Sequence, residues 1–283
     1  MNYRKKFVVA PGAKLRLDKV DPSYSGKRGT RETAVEETAK DVARMDRLQY
    51  LLYADASRSV LIVLQGLDAA GKDGVIRHLF SGMDPQGVYV APFKQPNKTE
   101  LAHDFLWRVH RCAPGKGEVV IFNRSHYEDV LAVRVHKLVP REIWSTRYNL
   151  INSFEKMLSE NGTCILKFYL HISQDEQLDR FKQRLDDPAR QWKISDSDYS
   201  ERKLWPKYVA AYEEAIERTS TKHAPWYVIP ANHKWFRNLA ISRIVADSMD
   251  EMELKLPKPR VDLAGIRRKF HAAKREAGGR KKN

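Results

Sequence analysis

SVLIVLQGLDAAGKDG, residues 59–74, joins an unbroken aliphatic run to a glycine-rich turn. Val60 to Leu64 contain no polar residue, which reads as a strand buried on both faces. Gly66, Gly71 and Lys72 then match G-x-x-x-x-G-K, a loop whose backbone N–H groups cradle phosphate while its lysine adds a point charge. The pattern is short enough to arise by chance, but its place after a strand and before a helical stretch is what a working loop requires. One position departs from the pattern: Asp73 stands where a Ser or Thr hydroxyl would meet a cation, and Asp68 puts a second acid inside the loop.

Extra negative charge at a phosphate site needs a reason, and Mg²⁺ supplies one. It takes oxygen ligands and is usually held by one or two carboxylates together with substrate phosphates. Asp68 and Asp73 are therefore candidate metal ligands, with Mn²⁺ as a substitute ion. Asp68 would alternatively orient an attacking oxygen. Asp73, in the first turn of a helix, would also complement the helix dipole. Gly66, Ala69, Ala70, Gly71, Lys72, Asp73 and Gly74 form the candidate phosphate cradle.

The strand and helix pattern recurs along the chain. Helices are expected at 31–54, 72–81, 99–111, 141–161, 174–185, 199–219 and 235–254, and strands at 59–65, 88–93, 117–122, 163–172 and 226–230. In the first helix, Val35, Ala39, Val42, Met45, Leu48, Leu51 and Leu52 recur at helical intervals, and Gly162 should close the fourth. Apolar strands alternating with helices indicate an α/β protein with a doubly wound parallel sheet. The expected organisation is an irregular N-terminal arm (1–30), one domain (31–255) with a helical lid near 179–198, and a basic, disordered tail (256–283).

Ligands of such sheets gather beyond the carboxyl ends of the strands. There NRSHYEDV (123–130) follows GEVVIF: Asn123 occupies the place of a Walker B aspartate, Arg124 is next, and Glu128 and Asp129 lie within reach if the segment is a loop. A solvated acidic pair is the plainer reading of those two. In DRFKQRLDDPARQWK (179–193), Arg180 and Arg184 share a helical face, and Arg190 and Lys193 follow a break at Pro188. Mobile cations of this kind close over developing charge, although the segment is net neutral and equally suits a solvated helix. Lys94, Arg134 and Arg190 are further candidate phosphate or nucleotide contacts.

The 283 residues carry a net charge of +15, so an acidic partner is expected. Residues 255–283 hold eleven Lys or Arg against Asp262 and Glu276, a charge of +9 that leaves +6 on the rest. Such a tail is a solvated end or a tether for a polyanion. Cys112 and Cys164 form no CxxC pair, which suits reduced thiols and the cytoplasm. No signal peptide or membrane span is visible, so a soluble chain is expected. The nine histidines show no metal spacing; His126 alone sits in a site motif, and Trp226 and Tyr227 read as core.

GLDAAGKDG (66–74), PQGV (85–88), LWRVH (106–110), NRSHYEDV (123–130), ILKFYLHIS (165–173) and STKHAPWYVIPANHKW (220–235) together resemble the polyphosphate kinase 2 family, over roughly residues 5–255. The NRSHYED form is similar to that family's class III branch. The resemblance implies a thymidylate-kinase-like P-loop kinase fold that moves phosphate from inorganic polyphosphate to ADP, giving ATP, and to AMP, with Mg²⁺. It places Asp68, Lys72 and Asp73 on the family's acidic loop, with Asp68 and Asp129 orienting or deprotonating the acceptor. Asn123 and Arg124 fall on its altered Walker B, Arg180 and Arg184 on its lid, and Glu128 where the branches differ. The catalytic set it implies is Asp68, Lys72, Arg124, Asp129, Arg180 and Arg184, in a dimer or tetramer. The basic tail has no counterpart. The +6 on the body suggests a cationic channel that steers a polyphosphate chain.

Two rival readings remain at this level. An ATP-dependent nucleotide kinase of the same fold is disfavoured by Asp73 and Asn123. A nucleic-acid-binding protein fits the isoelectric point near 9.7, but no dedicated nucleic-acid module is visible.

Overall fold

The computed structural model describes residues 2–26 and 30–279. Its six strands are β1 (Val8–Val9), β2 (Ser59–Gln65), β3 (Val88–Pro92), β4 (Val119–Asn123), β5 (Thr163–His171) and β6 (Trp226–Pro230). They form one sheet in the order β1-β6-β5-β2-β4-β3. β2 lies at its centre, parallel to β4 with Leu64 opposite Asn123 and parallel to β5 with Leu64 opposite Phe168. All seven residues of β2 are buried. Val60, Ile62 and Leu64 enter the core on one face, and Leu61 and Val63 the core on the other. Each such side chain contributes about 1.5–3 kcal/mol by burial, which is why an uninterrupted aliphatic run settles between two helical layers.

The sheet is not wholly parallel. β1 runs antiparallel to β6, with Val8 opposite Tyr227 and Val9 opposite Trp226. The N-terminal arm, expected to be irregular, supplies this edge strand and a short helix, Tyr3–Phe7. Tyr3 and Phe7 pack against Phe236, with ring centroids 6.0 Å apart in both pairs. Residues 27–29 of the arm lie outside the described residues.

The helix Arg31–Asp55 begins at a Thr30 cap paired with Thr33 and ends at Ala56 in the left-handed region. Its buried face includes Asp41 and Gln49, whereas Val35 is exposed. Asp41 is buried because Arg243 donates to both its oxygens, at 3.0 and 2.7 Å.

Four expected helices are interrupted. The stretch 99–111 divides into Lys98–Leu101 and Trp107–His110; the Asp104 carboxylate accepts from Leu106 N at 2.9 Å and turns the chain between them. The stretch 141–161 divides into Arg141–Trp144 and Arg147–Glu160, with Gly162 closing it at φ 92°. Pro206 starts a fresh helix, Trp205–Thr219, after Asp196–Arg202. After the glycine loop, Lys72–Val75 passes into a π-helical segment, Ile76–Phe80.

The basic tail, expected to be disordered, contains the helix Leu263–Gly279, with Leu263, Ile266 and Phe270 exposed. Residues 280–283 of that tail lie outside the described residues. No helix among the described residues is long and apolar enough to cross a membrane.

Candidate active site

The turn from β2 into Lys72–Val75 is built on two glycines with positive φ. Gly66 has φ 153°, and a Cβ there would sit 3.0 Å from the Leu170 carbonyl oxygen. Gly71 has φ 103°. Two non-glycine residues beside the loop also adopt left-handed backbone, Ala69 at φ 61° and Arg124 at φ 62°. Strain of this kind persists where surrounding contacts enforce it, and it concentrates at functional sites.

A cleft of about 1440 Å³ opens over this turn at the carboxyl ends of β2, β3 and β4. Of the residues singled out in the sequence, Asp68, Ala69, Gly71, Lys72, Asp73, Gly74, Lys94, Asn123, Arg124, Arg180, Arg184 and Arg190 line it, together with Lys193. Gly66 and Ala70 lie behind the lining, where Gly66 accepts from Lys72 and Ala70 is fully buried.

Lys72 is buried, and its Nζ donates to the Gly66 carbonyl at 2.7 Å. Burial, with Arg124 adding, brings its ammonium down to about 8, against the pull of Asp68, Glu128 and Asp73. Asp73 Oδ1 accepts from Asn123 Nδ2 at 2.9 Å, and Lys193 Nζ lies 3.5 Å from Oδ2. Burial works against ionisation of Asp73, but Asn123 and Lys193 outweigh it and hold the carboxyl below its ordinary value. Arg124 Nη2 donates to Asp68 Oδ1 at 2.9 Å. Both loop acids thus accept a hydrogen bond, each from a residue at or just past the end of β4.

Glu128 and Asp129 lie on a turn of 3₁₀ helix, His126–Asp129, rather than in an open loop, and neither lines the cleft. Burial pushes the Glu128 carboxyl up, while Arg124, Lys72 and a hydrogen bond from Gln65 oppose the rise. That set of neighbours places Glu128 beside the loop. Asp129 is engaged elsewhere: Arg147 Nη1 donates to its carbonyl at 2.9 Å and to Oδ1 at 3.2 Å, and Arg108 lies 3.8 Å from Oδ2. Burial pushes Asp129 up against those two cations. Arg108 also donates to the Lys94 carbonyl at 2.8 Å, so the LWRVH motif holds a cleft residue in place.

His126, the one histidine inside a site motif, is a structural residue, fully buried with Nε2 3.2 Å from Glu155 Oε1. Two sequence expectations need correction. Arg134 lies outside the cleft, donating to Glu214 Oε2 at 2.7 Å and resting over Trp144. Arg180 is not a mobile cation. It is buried, paired with Glu176 at 2.6 Å, and donates to the carbonyls of Ala69, Ala70, Ala231 and Asn232 at 2.6–3.1 Å. Five hydrogen bonds make it the tie between the helix Gln174–Asp186, the loop and the end of β6. Arg184, half-buried, donates to the Lys193 carbonyl at 3.1 Å, and exposed Arg190 pairs with Asp187 at 2.9 Å. These two fit a movable rim better than Arg180 does.

The sequence reading missed Lys234 and Arg237, which line the cleft from the first turn of the helix Lys234–Asp250. No grouping of three or more His, Cys, Asp or Glu among the described residues suits a metal ion. Asp68 and Asp73 nevertheless fit a divalent cation, which can be held by one or two protein carboxylates when substrate phosphates complete its shell.

Residues 28–257 match the family model described as Polyphosphate kinase 2. The chain is 50% identical over 256 residues to the AMP/ADP-polyphosphate phosphotransferase of Meiothermus ruber, covering 90% of this chain and 96% of that one. It is 44% identical to the ADP-polyphosphate phosphotransferase of Rhodopseudomonas palustris, covering 90% and 92%. Among solved structures, polyphosphate kinase 2 from Arthrobacter aurescens TC1 superposes with a TM-score of 0.92 at 40% identity, over 96% of this chain and 97% of that one. The mostly parallel six-stranded sheet is accordingly a P-loop kinase fold.

Proposed function

The chain belongs to the polyphosphate kinase 2 family, and on that premise we propose that it transfers phosphate from inorganic polyphosphate to ADP, forming ATP, and to AMP, forming ADP. The observation that carries the reading is the pairing of both loop acids with β4: Asp73 with Asn123 and Asp68 with Arg124, each at 2.9 Å, beside Lys72. Both donor and acceptor are phosphates, so the reacting groups repel. A site that presents two carboxylates next to a lysine suits metal-neutralised phosphate on both sides.

In the proposed reaction an oxygen of the acceptor's terminal phosphate attacks the end phosphorus of polyphosphate. The bond from that phosphorus to its bridging oxygen breaks, and the shortened chain leaves with the electron pair on that oxygen. Little covalent work falls to the protein. Loop N–H groups and Lys72 hold the transferring phosphoryl group. Arg124, fixed by its left-handed backbone and by Asp68, supports the acceptor phosphate. Glu128, buried behind the cleft wall beside Arg124 and Lys72, would act through Arg124 on whether the acceptor carries one phosphate or two. Arg184, Arg190 and Lys193 close over the donor, and Arg180 holds the loop in shape. Asp129, neutralised by Arg147 and Arg108, serves to orient this wall rather than to remove a proton.

Phosphoryl transfer of this kind generally uses a divalent cation, and we assign Mg²⁺, with Mn²⁺ as a substitute, to Asp68 and Asp73. When bound there it neutralises charge on donor and acceptor phosphates. A cytoplasmic location and a homo-oligomer belong to the same proposal.

The test is product analysis with each acceptor separately. Polyphosphate with AMP should give ADP and then ATP, and polyphosphate with ADP should give ATP. Conversion of ADP alone would remove AMP from the proposal.

A further inference from the structure

Five buried Lys or Arg side chains occur among the described residues: Lys72, Arg108, Lys167, Arg180 and Arg237. Arg108, Lys167 and Arg180 each have a carboxylate within ion-pair distance. Lys72 and Arg237 have none, and both lie against the same loop. Lys72 is the loop's phosphate lysine, so its missing anion is the substrate. Arg237 shows the same signature from the opposite side.

Arg237 is 2% exposed, from the first turn of the helix Lys234–Asp250, and lines the cleft. Its Nε and Nη2 donate to Asn238 Oδ1 at 3.1 and 2.9 Å, and its Nη1 makes a long contact with the Ala70 carbonyl at 3.4 Å. Neither partner is charged. The guanidinium fills the space in front of two loop glycines: a Cβ on Gly71 would lie 2.0 Å from Nη1, and one on Gly74 3.3 Å from Nη2. A side chain at Gly71, and to a lesser degree at Gly74, would have to displace the Arg237 guanidinium. Arg180 adds a second buried guanidinium at the Ala70 carbonyl, at 3.0 Å, and among the described residues Glu176 alone forms an ion pair with either of the two. Burial, and then the like charge of Arg180, brings Arg237 down to about 9, which leaves it protonated at neutral pH.

A buried charge without a counter-ion costs stability. We propose that Arg237 is a binding residue for the polyphosphate donor, its uncompensated charge held under the loop so that the polyanion supplies the missing counter-ion. The inference rests on the polyphosphate-transfer reading above. A buried charge in the cleft wall acts on phosphate at a lower effective dielectric than a surface lysine does, so one residue can favour the donor polyanion.

Two variants test it, with the wild type beside them. Arg237→Met removes the charge at similar volume. Asn238→Asp keeps the packing and gives the guanidinium an internal counter-ion. Both should melt at or above the wild-type midpoint without ligand, lose most of the stabilisation that long-chain polyphosphate gives the wild type, and raise KM for polyphosphate about tenfold or more, worth roughly 1.4 kcal/mol. KM for ADP should change little. Should Arg237→Met fail to fold, Asn238→Asp carries the test, since it leaves Arg237 in place. Unchanged polyphosphate stabilisation and KM in Asn238→Asp, or a lowered midpoint with unchanged KM in Arg237→Met, would assign Arg237 to packing and overturn the proposal. A wild type that neither uses nor is stabilised by polyphosphate would overturn the transfer reading itself, and this inference with it.

Discussion

Asn123 Nδ2 lies 2.9 Å from Asp73 Oδ1, so the residue that ends β4 and the acid that begins the helix after the loop share a hydrogen bond. In a P-loop ATPase the loop brings a hydroxyl and the strand end a carboxylate to the metal. Here the loop brings the carboxylate, Asp73, and the strand end an uncharged amide, Asn123, that donates to it.

The exchange predicts that the two positions are coupled. Asp73→Ser should lower kcat roughly 100-fold by removing a charged ligand, and Asn123→Asp should lower it by setting two carboxylates together. Asp73→Ser combined with Asn123→Asp should recover activity relative to the Asn123→Asp single variant. A double-mutant cycle with kcat as readout checks this, and additive losses would count against the shared role.

The state of Lys72 sets a pH dependence. Its folded value is lowered from 10.5 to about 8, so between those values the unfolded chain binds more protons than the folded one. Its contribution to stability therefore rises as pH increases from about 8 towards 10.5. Function moves the other way: free enzyme loses the loop's positive charge above about pH 8, and kcat/KM for polyphosphate should fall there. Lys72→Arg, which stays charged, should flatten that alkaline limb whatever its absolute rate.

Beneath the turn that carries Glu128 and Asp129 lies a fully buried network. Glu155 accepts from Lys167 at 2.6 Å and from Tyr127 at 2.8 Å, and His126 lies 3.2 Å from it. Burial opposes its ionisation, but Lys167 and His126 hold the Glu155 carboxyl below its ordinary value. Removing one member should strand the other: Glu155→Leu or Lys167→Met alone should cost about 3–5 kcal/mol in urea unfolding, and the double variant less than the sum. Equal or larger losses in the double variant would contradict this.

In the tail helix Leu263–Gly279, Leu263, Ile266 and Phe270 are exposed, and the cleft lining includes no tail residue among those described. Deleting residues 259–283 should leave kcat with ADP within roughly twofold, as changes to exposed surface usually do. A loss of transfer activity in a folded truncation would give the tail a part in the chemistry.

The strands were the most legible part of the sequence, because a run such as VLIVL has one stable place, between two helical layers. The loop and its two acids were equally plain. Helix ends were not, since Asp104 turns the chain through its own side chain within an otherwise helical stretch. The helical spacing of Val35 and Ala39 pointed to the wrong face, because Asp41 is buried by an arginine from a distant helix. Arg180 read as a mobile cation and is instead locked to four carbonyls, which lie as far as 111 residues away in sequence. Nothing in the sequence singled out Arg237, which reaches Gly71 and Gly74 from a helix distant in the chain.

The most direct measurement is light from ATP formed by the purified protein given long-chain polyphosphate, Mg²⁺ and ADP, with no ATP added, beside Lys72→Ala and a sample without divalent cation. The account predicts steady ATP production by the wild type that falls to background in both controls. ATP production that persists without the cation and in Lys72→Ala, or none from a folded wild type, would contradict it.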